Sequence, residues 1–147
     1  MEHTYLLRPG KWRAEGTYYD DAGRAFPLTG RSELTGDGPE RRLTGWMEVV
    51  APQSLRFAND YTIRETERPF TLAWESCNPA LGVLEGTFEF AGESILSRYR
   101  SPDRVHSGCE VLTLQGDGSY YNAGAALKDG RRMSAWTAVL REEKEPE

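Results

Sequence analysis

Side chains that could move protons cluster around one predicted strand, residues 105–115. His106 and Glu110 lie four positions apart, so they share one face of a strand, in which side chains alternate between faces. If that face points inward, an imidazole and a carboxyl join the phenols of Tyr99 and Tyr121 in a candidate general acid–base set. If the opposite face points inward, Glu110 is an exposed charge and His106 is a surface residue.

Aromatic side chains form the second group with a chemical use, the binding of a small apolar molecule. The chain has four Trp, seven Tyr and five Phe, and many of these rings alternate with polar side chains, as in a strand. Asn59 shares a face with Phe57 and Tyr61, and leaving an inward amide unpaired costs about 1–3 kcal/mol, so a ligand, a water or a tyrosine hydroxyl is needed there. The alternative is that the rings are ordinary core. The predicted ligand-binding residues are Tyr18, Phe57, Asn59, Tyr61, Trp74, Phe88, Tyr99, Tyr121 and Trp136.

Composition and missing motifs narrow the function classes. The formal net charge is −5 and the basic residues form no stripe, which argues against nucleic acid as a partner. No apolar run is long enough to span a membrane and the start resembles no signal peptide, so we expect a cytoplasmic protein. Cys77 and Cys109 are predicted to be free thiols. The HExxH, GxSxG and GxxxxGK[ST] motifs are absent, and we predict neither a metal nor a cofactor.

Turn signals define the elements that must position these residues. Nine of them recur along the chain with no long helical stretch between them, which predicts an all-β chain of about ten strands. Short loops require antiparallel neighbours, and closure into an up-and-down barrel removes the exposed edges. We predict one domain, 1–147, with a cap segment at 1–9 and a disordered tail at 142–147. The turn signals are Asp21-Ala22-Gly23, Asp37-Gly38-Pro39, Ala51-Pro52, Arg68-Pro69, Asn78-Pro79, Gly92-Glu93, Ser101-Pro102-Asp103, Gly116-Asp117-Gly118 and Asp129-Gly130.

Turn chemistry predicts the register of several hairpins. A two-residue Gly92-Glu93 loop pairs Ala91 with Ser94, which places Phe88 on an apolar inner face and the neighbouring charges outside. A three-residue loop at 21–23 pairs Asp20 with Arg24. A two-residue turn at Asp117-Gly118 puts Tyr121 and Trp136 on the face of Glu110.

The first predicted strand resembles that of the calycins, the superfamily of lipocalins and fatty-acid-binding proteins. Gly10-Lys11-Trp12 matches their Gly-x-Trp element, which lies at the closed end of the barrel. In that superfamily an Arg from the last strand commonly packs on the Trp ring, and Arg141 occupies the corresponding position here. The resemblance implies a calycin-like barrel in which Arg141 stacks on Trp12 through a cation–π contact.

Apolar residues on both faces of two predicted strands suggest a covered outer surface. In the last hairpin, Tyr121 and Trp136 oppose Tyr120 and Val139. A homodimer would cover such a surface, and the N-terminal segment is the alternative cover. We predict a barrel that binds a small hydrophobic or aromatic molecule. The alternatives are an isomerase, cyclase or lyase that transfers protons through Glu110 and its neighbours, and a filled barrel that serves in dimerisation or interaction.

Overall fold

The protein is a closed barrel of ten antiparallel strands. The computed structural model describes residues 2–51, 54–78 and 82–144. Each strand is hydrogen-bonded to the next in sequence, and β10 closes the barrel on β1, so the predicted fold class is confirmed. The strands are β1 (Gly10–Tyr19), β2 (Ala25–Thr35), β3 (Glu40–Val49), β4 (Leu55–Glu65), β5 (Thr71–Asn78), β6 (Gly82–Ala91), β7 (Ser94–Arg100), β8 (His106–Leu114), β9 (Tyr120–Lys128) and β10 (Arg131–Glu143).

Two predicted hairpin registers are confirmed. Ala91 pairs with Ser94 across the β6–β7 turn. In the β1–β2 turn, the Asp20 backbone N–H donates to the Arg24 carbonyl at 3.0 Å, and Gly23 adopts a φ of 81°. Glycine takes this left-handed conformation without the steric cost that a side chain would add, so the turn chemistry fixes the pairing.

The predicted register of the β8–β9 hairpin is wrong by one residue. Leu114 pairs with Tyr120 around a three-residue loop, Gly116-Asp117-Gly118, in which Gly118 has a φ of 87°. A shift of one residue moves every side chain to the other face of a strand. Tyr120 is therefore completely buried inside the barrel, whereas Tyr121 lies on the outer surface and is 45% exposed.

A second irregularity restores the predicted position of Trp136. The β9–β10 ladder shifts register between Arg132 and Ser134, as at a β-bulge, so that Trp136 pairs with Gly124. Gly124 in turn pairs with Glu110 on β8. The one-residue error in the β8–β9 register and the one-residue shift at the bulge cancel for Trp136, which faces the interior with Glu110 as predicted. They do not cancel for Tyr121, which precedes the bulge.

The N-terminal segment packs into one end of the barrel, which we call the closed end. Leu6 is completely buried, and the Tyr5 ring contacts that of Trp12 edge-on with their centroids 5.1 Å apart. The hydroxyl oxygen of Tyr120 accepts from the Thr4 backbone N–H at 3.2 Å and lies 2.8 Å from His3 Nδ1. The segment thus buries apolar side chains inside the barrel and leaves Tyr121 on the outer surface uncovered.

The predicted stacking of Arg141 on Trp12 is wrong. Arg141 pairs with Arg13 in the ladder, one residue out of phase with Trp12, so its side chain lies on the outer surface. There its Nη1 binds Asp117 Oδ2 at 3.1 Å. The rings of Tyr5 and Tyr120 occupy the surroundings of Trp12 instead.

The predicted tail begins too early. Glu142 and Glu143 belong to β10, where they pair with Trp12 and Lys11 of β1. Hydrogen bonds of this ladder order the two residues although both are charged. The remainder of the tail, 145–147, lies outside the described residues.

Candidate functional site

Glu110 lies on the inward face of β8. The sequence left open which face of this strand points into the barrel. Its neighbours in the two adjoining ladders are Ser97 on β7 and Gly124 on β9. Leu112, two residues further on the same face, is buried, whereas Cys109 on the opposite face is exposed. A carboxyl group therefore lies in the interior of the barrel, among aromatic side chains.

Asn122 holds the carboxyl of Glu110 through a small network of hydrogen bonds. Trp136 Nε1 donates to Asn122 Oδ1 at 2.9 Å, and Asn122 Nδ2 donates to the Val111 carbonyl at 3.0 Å. These bonds fix the orientation of the amide, because Trp136 can only donate. Asn122 Nδ2 also lies 3.3 Å from Glu110 Oε2, to which it donates. Sequence reasoning missed Asn122, because the one-residue error in the β8–β9 register placed it outside.

The electrostatics of this region favour neutral side chains. Burial raises the pKa of Glu110, and the hydrogen bond from Asn122 opposes that shift. Burial also raises the pKa values of the Tyr61 and Tyr99 phenols, and the negative charge of Glu110 raises them further. The phenols therefore stay protonated, and Glu110 binds its proton more tightly than an exposed glutamate does.

Three large rings lie against glycines on neighbouring strands. A Cβ atom built on Gly108 would lie 2.2 Å from the Tyr99 ring, and one on Gly124 would lie 2.4 Å from the Trp136 ring. On Gly86 the corresponding distance to the Trp74 ring is 2.7 Å. Real Cβ atoms do not approach so closely, so these positions require glycine for the rings to lie flat on the barrel wall.

Trp74 and Phe88 support the rings that face the interior. Their centroids are 5.8 Å apart in a stacked arrangement, and both residues are buried. Trp74 also contacts the Tyr61 ring edge-on at 5.0 Å and the Tyr99 ring at 5.6 Å, while its Nε1 donates to Ser97 Oγ at 3.2 Å. Tyr61 and Tyr99 are only half-buried, so they present surface that Trp74 and Phe88 do not.

Towards the end of the barrel opposite the closed end, the predicted residues Tyr18, Phe57 and Asn59 come together with Trp136. The rings of Tyr18 and Phe57 stack with centroids 6.5 Å apart, and Tyr18 pairs with Trp136 in the β1–β10 ladder. Asn59 follows on the same face of β4 and is half-buried. Its side chain makes no hydrogen bond to any residue in the described ranges, so its amide has donors and an acceptor available.

The candidate acid–base set becomes smaller in the structure. His106 shares the face of Glu110, but four residues of strand separate their Cα atoms by about 13 Å at 3.3 Å per residue. Its Nδ1 is buried and has no partner within the described part of the chain. Tyr121 lies outside the barrel, so Glu110 and Tyr99 are the members that the interior brings together.

The outer face of strands β6 to β9 has a groove of about 580 Å³, lined by Leu96, Arg98, Cys109 and Val111 among others. Leu96 and Tyr121 are exposed apolar residues on the outer surface, and Cys77 and Cys109 are exposed free thiols. The homodimer inferred from apolar outer residues stays a prediction.

Within residues 2–51, 54–78 and 82–144, no group of three His, Cys, Asp or Glu side chains could hold a metal ion. The same ranges contain no helix with the length and apolar character needed to cross a membrane.

Comparison with known proteins gives a structural neighbour and no family. No protein-family model and no curated protein matches the chain. The crystal structure of Rv2717c from M. tuberculosis is similar, with a TM-score of 0.66, 16% sequence identity and coverage of 92% of each chain. At this identity the likeness shows a shared barrel fold and nothing finer. Membership of the calycins therefore stays a prediction.

Proposed function

We propose that the barrel binds a small apolar or aromatic molecule in its interior. The observation that carries this proposal is the group of half-buried rings directed inward, Tyr61, Tyr99 and Trp136, close to the polar groups of Glu110 and Asn122. Binding sites for small molecules combine such apolar walls with a few placed polar groups. The free amide of Asn59 supplies a further polar contact near Tyr18 and Phe57.

A matched pair of tryptophan variants tests this proposal. Trp136 lies inside the barrel, whereas Trp46 lies on the outer face with the Arg56 guanidinium 4.4 Å from its ring centroid. We expect an uncharged fluorescent lipophile to bind the native protein. Trp136→Ala should weaken that binding about tenfold, which corresponds to about 1.4 kcal/mol, while Trp46→Ala should leave it unchanged.

Native mass spectrometry of gently purified protein provides an independent measurement, because a tightly held cellular ligand adds its mass to the protein. Failure of the lipophile to bind, together with the absence of any added mass, would contradict the proposal and favour a filled barrel that serves in interaction. Equal losses in Trp136→Ala and Trp46→Ala would place the lipophile somewhere other than the interior.

A second candidate function, proton transfer, is favoured by the raised pKa of Glu110. A carboxyl whose pKa is raised towards neutrality exchanges a proton more effectively than an exposed one. Tyr99, on the neighbouring strand, can donate a hydrogen bond to an oxygen that gains charge during the reaction. An isomerase, cyclase or lyase acting on an apolar molecule would use these two groups.

Nitrobenzisoxazole is a suitable general probe for this chemistry. A base removes its ring C–H proton, the N–O bond breaks, and a coloured nitrophenolate is released without any co-reactant. If Glu110 is the base, the rate should rise with pH as Glu110 loses its proton, and Glu110→Gln should reduce it to the background. Equal rates in the native protein and in this variant would count against catalysis by Glu110.

A further inference from the structure

Glu110 retains unused acceptor capacity inside the barrel. Its Oε2 accepts from Asn122 Nδ2 at 3.3 Å, and Glu110 takes part in no other side-chain hydrogen bond and no ion pair among the described residues. Asn122 cannot supply more, because Trp136 and the Val111 carbonyl hold the rest of its amide. An ionised carboxyl can accept about four hydrogen bonds, so most of its capacity remains for another molecule.

No Lys, Arg or His side chain of the described residues forms an ion pair with Glu110. The inward side chain of Arg41, on β3, binds Glu65 at 3.4 Å. Outside β8, the charge of Glu110 raises the pKa values of three phenols, those of Tyr5, Tyr61 and Tyr99. Because burial keeps these phenols neutral, the ionised form of Glu110 has no counter-ion within ranges 2–51, 54–78 and 82–144.

Aromatic rings flank the carboxyl on both sides. On the β9–β10 side, Trp136 lies over Gly124, the ladder partner of Glu110. On the β7 side, Ser97 is the ladder partner of Glu110, and its hydroxyl oxygen accepts a hydrogen bond from the Trp74 indole N–H. Tyr99 lies two residues further along β7, on the same face as Ser97. The faces of such rings attract cations, most strongly when water is excluded.

We infer that the ligand of this interior site carries an ammonium group, which pairs with the Glu110 carboxylate and lies against the rings of Trp136 and Tyr99. This inference rests on the proposed function and specifies its ligand class as an apolar or aromatic amine. The ammonium supplies the counter-ion and the hydrogen-bond donors that the site lacks. An anionic ligand would instead meet the repulsion of Glu110, and a neutral one would leave the ionised carboxylate uncompensated.

Three probes with the same naphthalene ring test this inference by calorimetry: naphthylmethylamine, naphthylmethanol and naphthoate. At about pH 8 the amine is largely protonated. We expect the amine to bind at least about tenfold more tightly than the alcohol, and the naphthoate to bind most weakly. Glu110→Gln keeps the size of the side chain and an oxygen that can accept from Asn122 but removes the charge, so it should abolish the advantage of the amine over the alcohol. Glu85→Gln, on the exposed face of β6, should change neither affinity.

The outcomes separate this inference from the function on which it rests. Equal binding of the amine and the alcohol, or an amine advantage that survives Glu110→Gln, would overturn the inference and leave interior binding intact. Absence of binding by every probe, and by the uncharged lipophile, would overturn both. If Glu110→Gln does not fold, the native protein still gives the answer, because the advantage of the amine over the alcohol must shrink when acid protonates Glu110.

Discussion

Gly108→Ala tests whether aromatic rings lie flat on the barrel wall, the arrangement on which the proposed interior binding depends. The three nearest atoms to a Cβ at this position are two ring carbons and the hydroxyl oxygen of Tyr99, the closest at 2.2 Å. An ordinary carbon contact is about 3.5 Å, so the ring must move by about 1.3 Å into the interior or the strands must separate. Gly108 has no positive φ, so backbone strain does not contribute.

The expected cost of Gly108→Ala follows from two opposing contributions. Overpacking of this kind destabilises a protein by about 1–3 kcal/mol. The smaller conformational entropy of alanine in the unfolded chain returns about 0.4–1 kcal/mol. We therefore expect a net loss of about 1–2 kcal/mol in the free energy of unfolding, or about 2–8 °C in Tm for a chain of this size.

Urea unfolding of a double-mutant cycle measures this effect and separates it from other causes. Gly116→Ala is the matched control, because a Cβ there meets nothing within 4 Å and its φ is not positive. In a Tyr99→Leu background the ring is absent, so Gly108→Ala should become neutral or slightly stabilising. An equal loss of stability with and without the Tyr99 ring would show that contact with this ring is not the cause of the destabilisation.

Three further predictions concern the interior carboxyl, the closed end and the outer surface. Because the pKa of Glu110 is raised in the folded state, its stabilising contribution is complete below the unfolded pKa of about 4.3 and is lost as pH rises through the folded pKa. Between these two pKa values the free energy of unfolding should fall by about 1.4 kcal/mol per pH unit. Glu110→Gln should remove this decline from chemical unfolding curves measured across pH, and an unchanged pH profile would show that Glu110 is not buried. Leu6→Ala should cost about 2–5 kcal/mol in urea unfolding because Leu6 is completely buried, whereas the exposed neighbour variant Leu7→Ala should change stability by less than about 0.5 kcal/mol. Sedimentation should detect a homodimer that Tyr121→Lys dissociates, and a native protein that sediments as a monomer would refute the dimer.

The sequence predicted best those features that local turn chemistry controls. The turns at 21–23 and at Gly92-Glu93 gave correct registers because their glycines allow one low-energy pairing. The segment Gly116-Asp117-Gly118 accommodates a two-residue or a three-residue loop, and the choice inverts every side chain of β9. The three-residue loop is favoured by a long-range contact, the burial of Tyr120 against the N-terminal segment. Local sequence signals do not contain this contact, so they cannot decide between the two loops.

Long-range packing determined the features that the sequence did not reveal. Glu110 was a predicted site residue, but its partner Asn122 depends on the β8–β9 register and on Trp136 of β10. Arg141 had the position along the chain that the calycin resemblance requires. Its phase, meaning the face of the sheet on which its side chain lies, is the outer one, where it binds Asp117. Phase is a property of the paired strands, so a match of residue types alone cannot establish it.

A crystal structure of the protein with bound naphthylmethylamine is the sharpest test of amine binding inside the barrel. We expect electron density for the probe inside the barrel, with its ammonium nitrogen within about 3 Å of a Glu110 oxygen and its ring against Trp136. An interior filled by the protein's own side chains, with the probe absent or bound only in the outer groove of β6 to β9, would contradict this expectation.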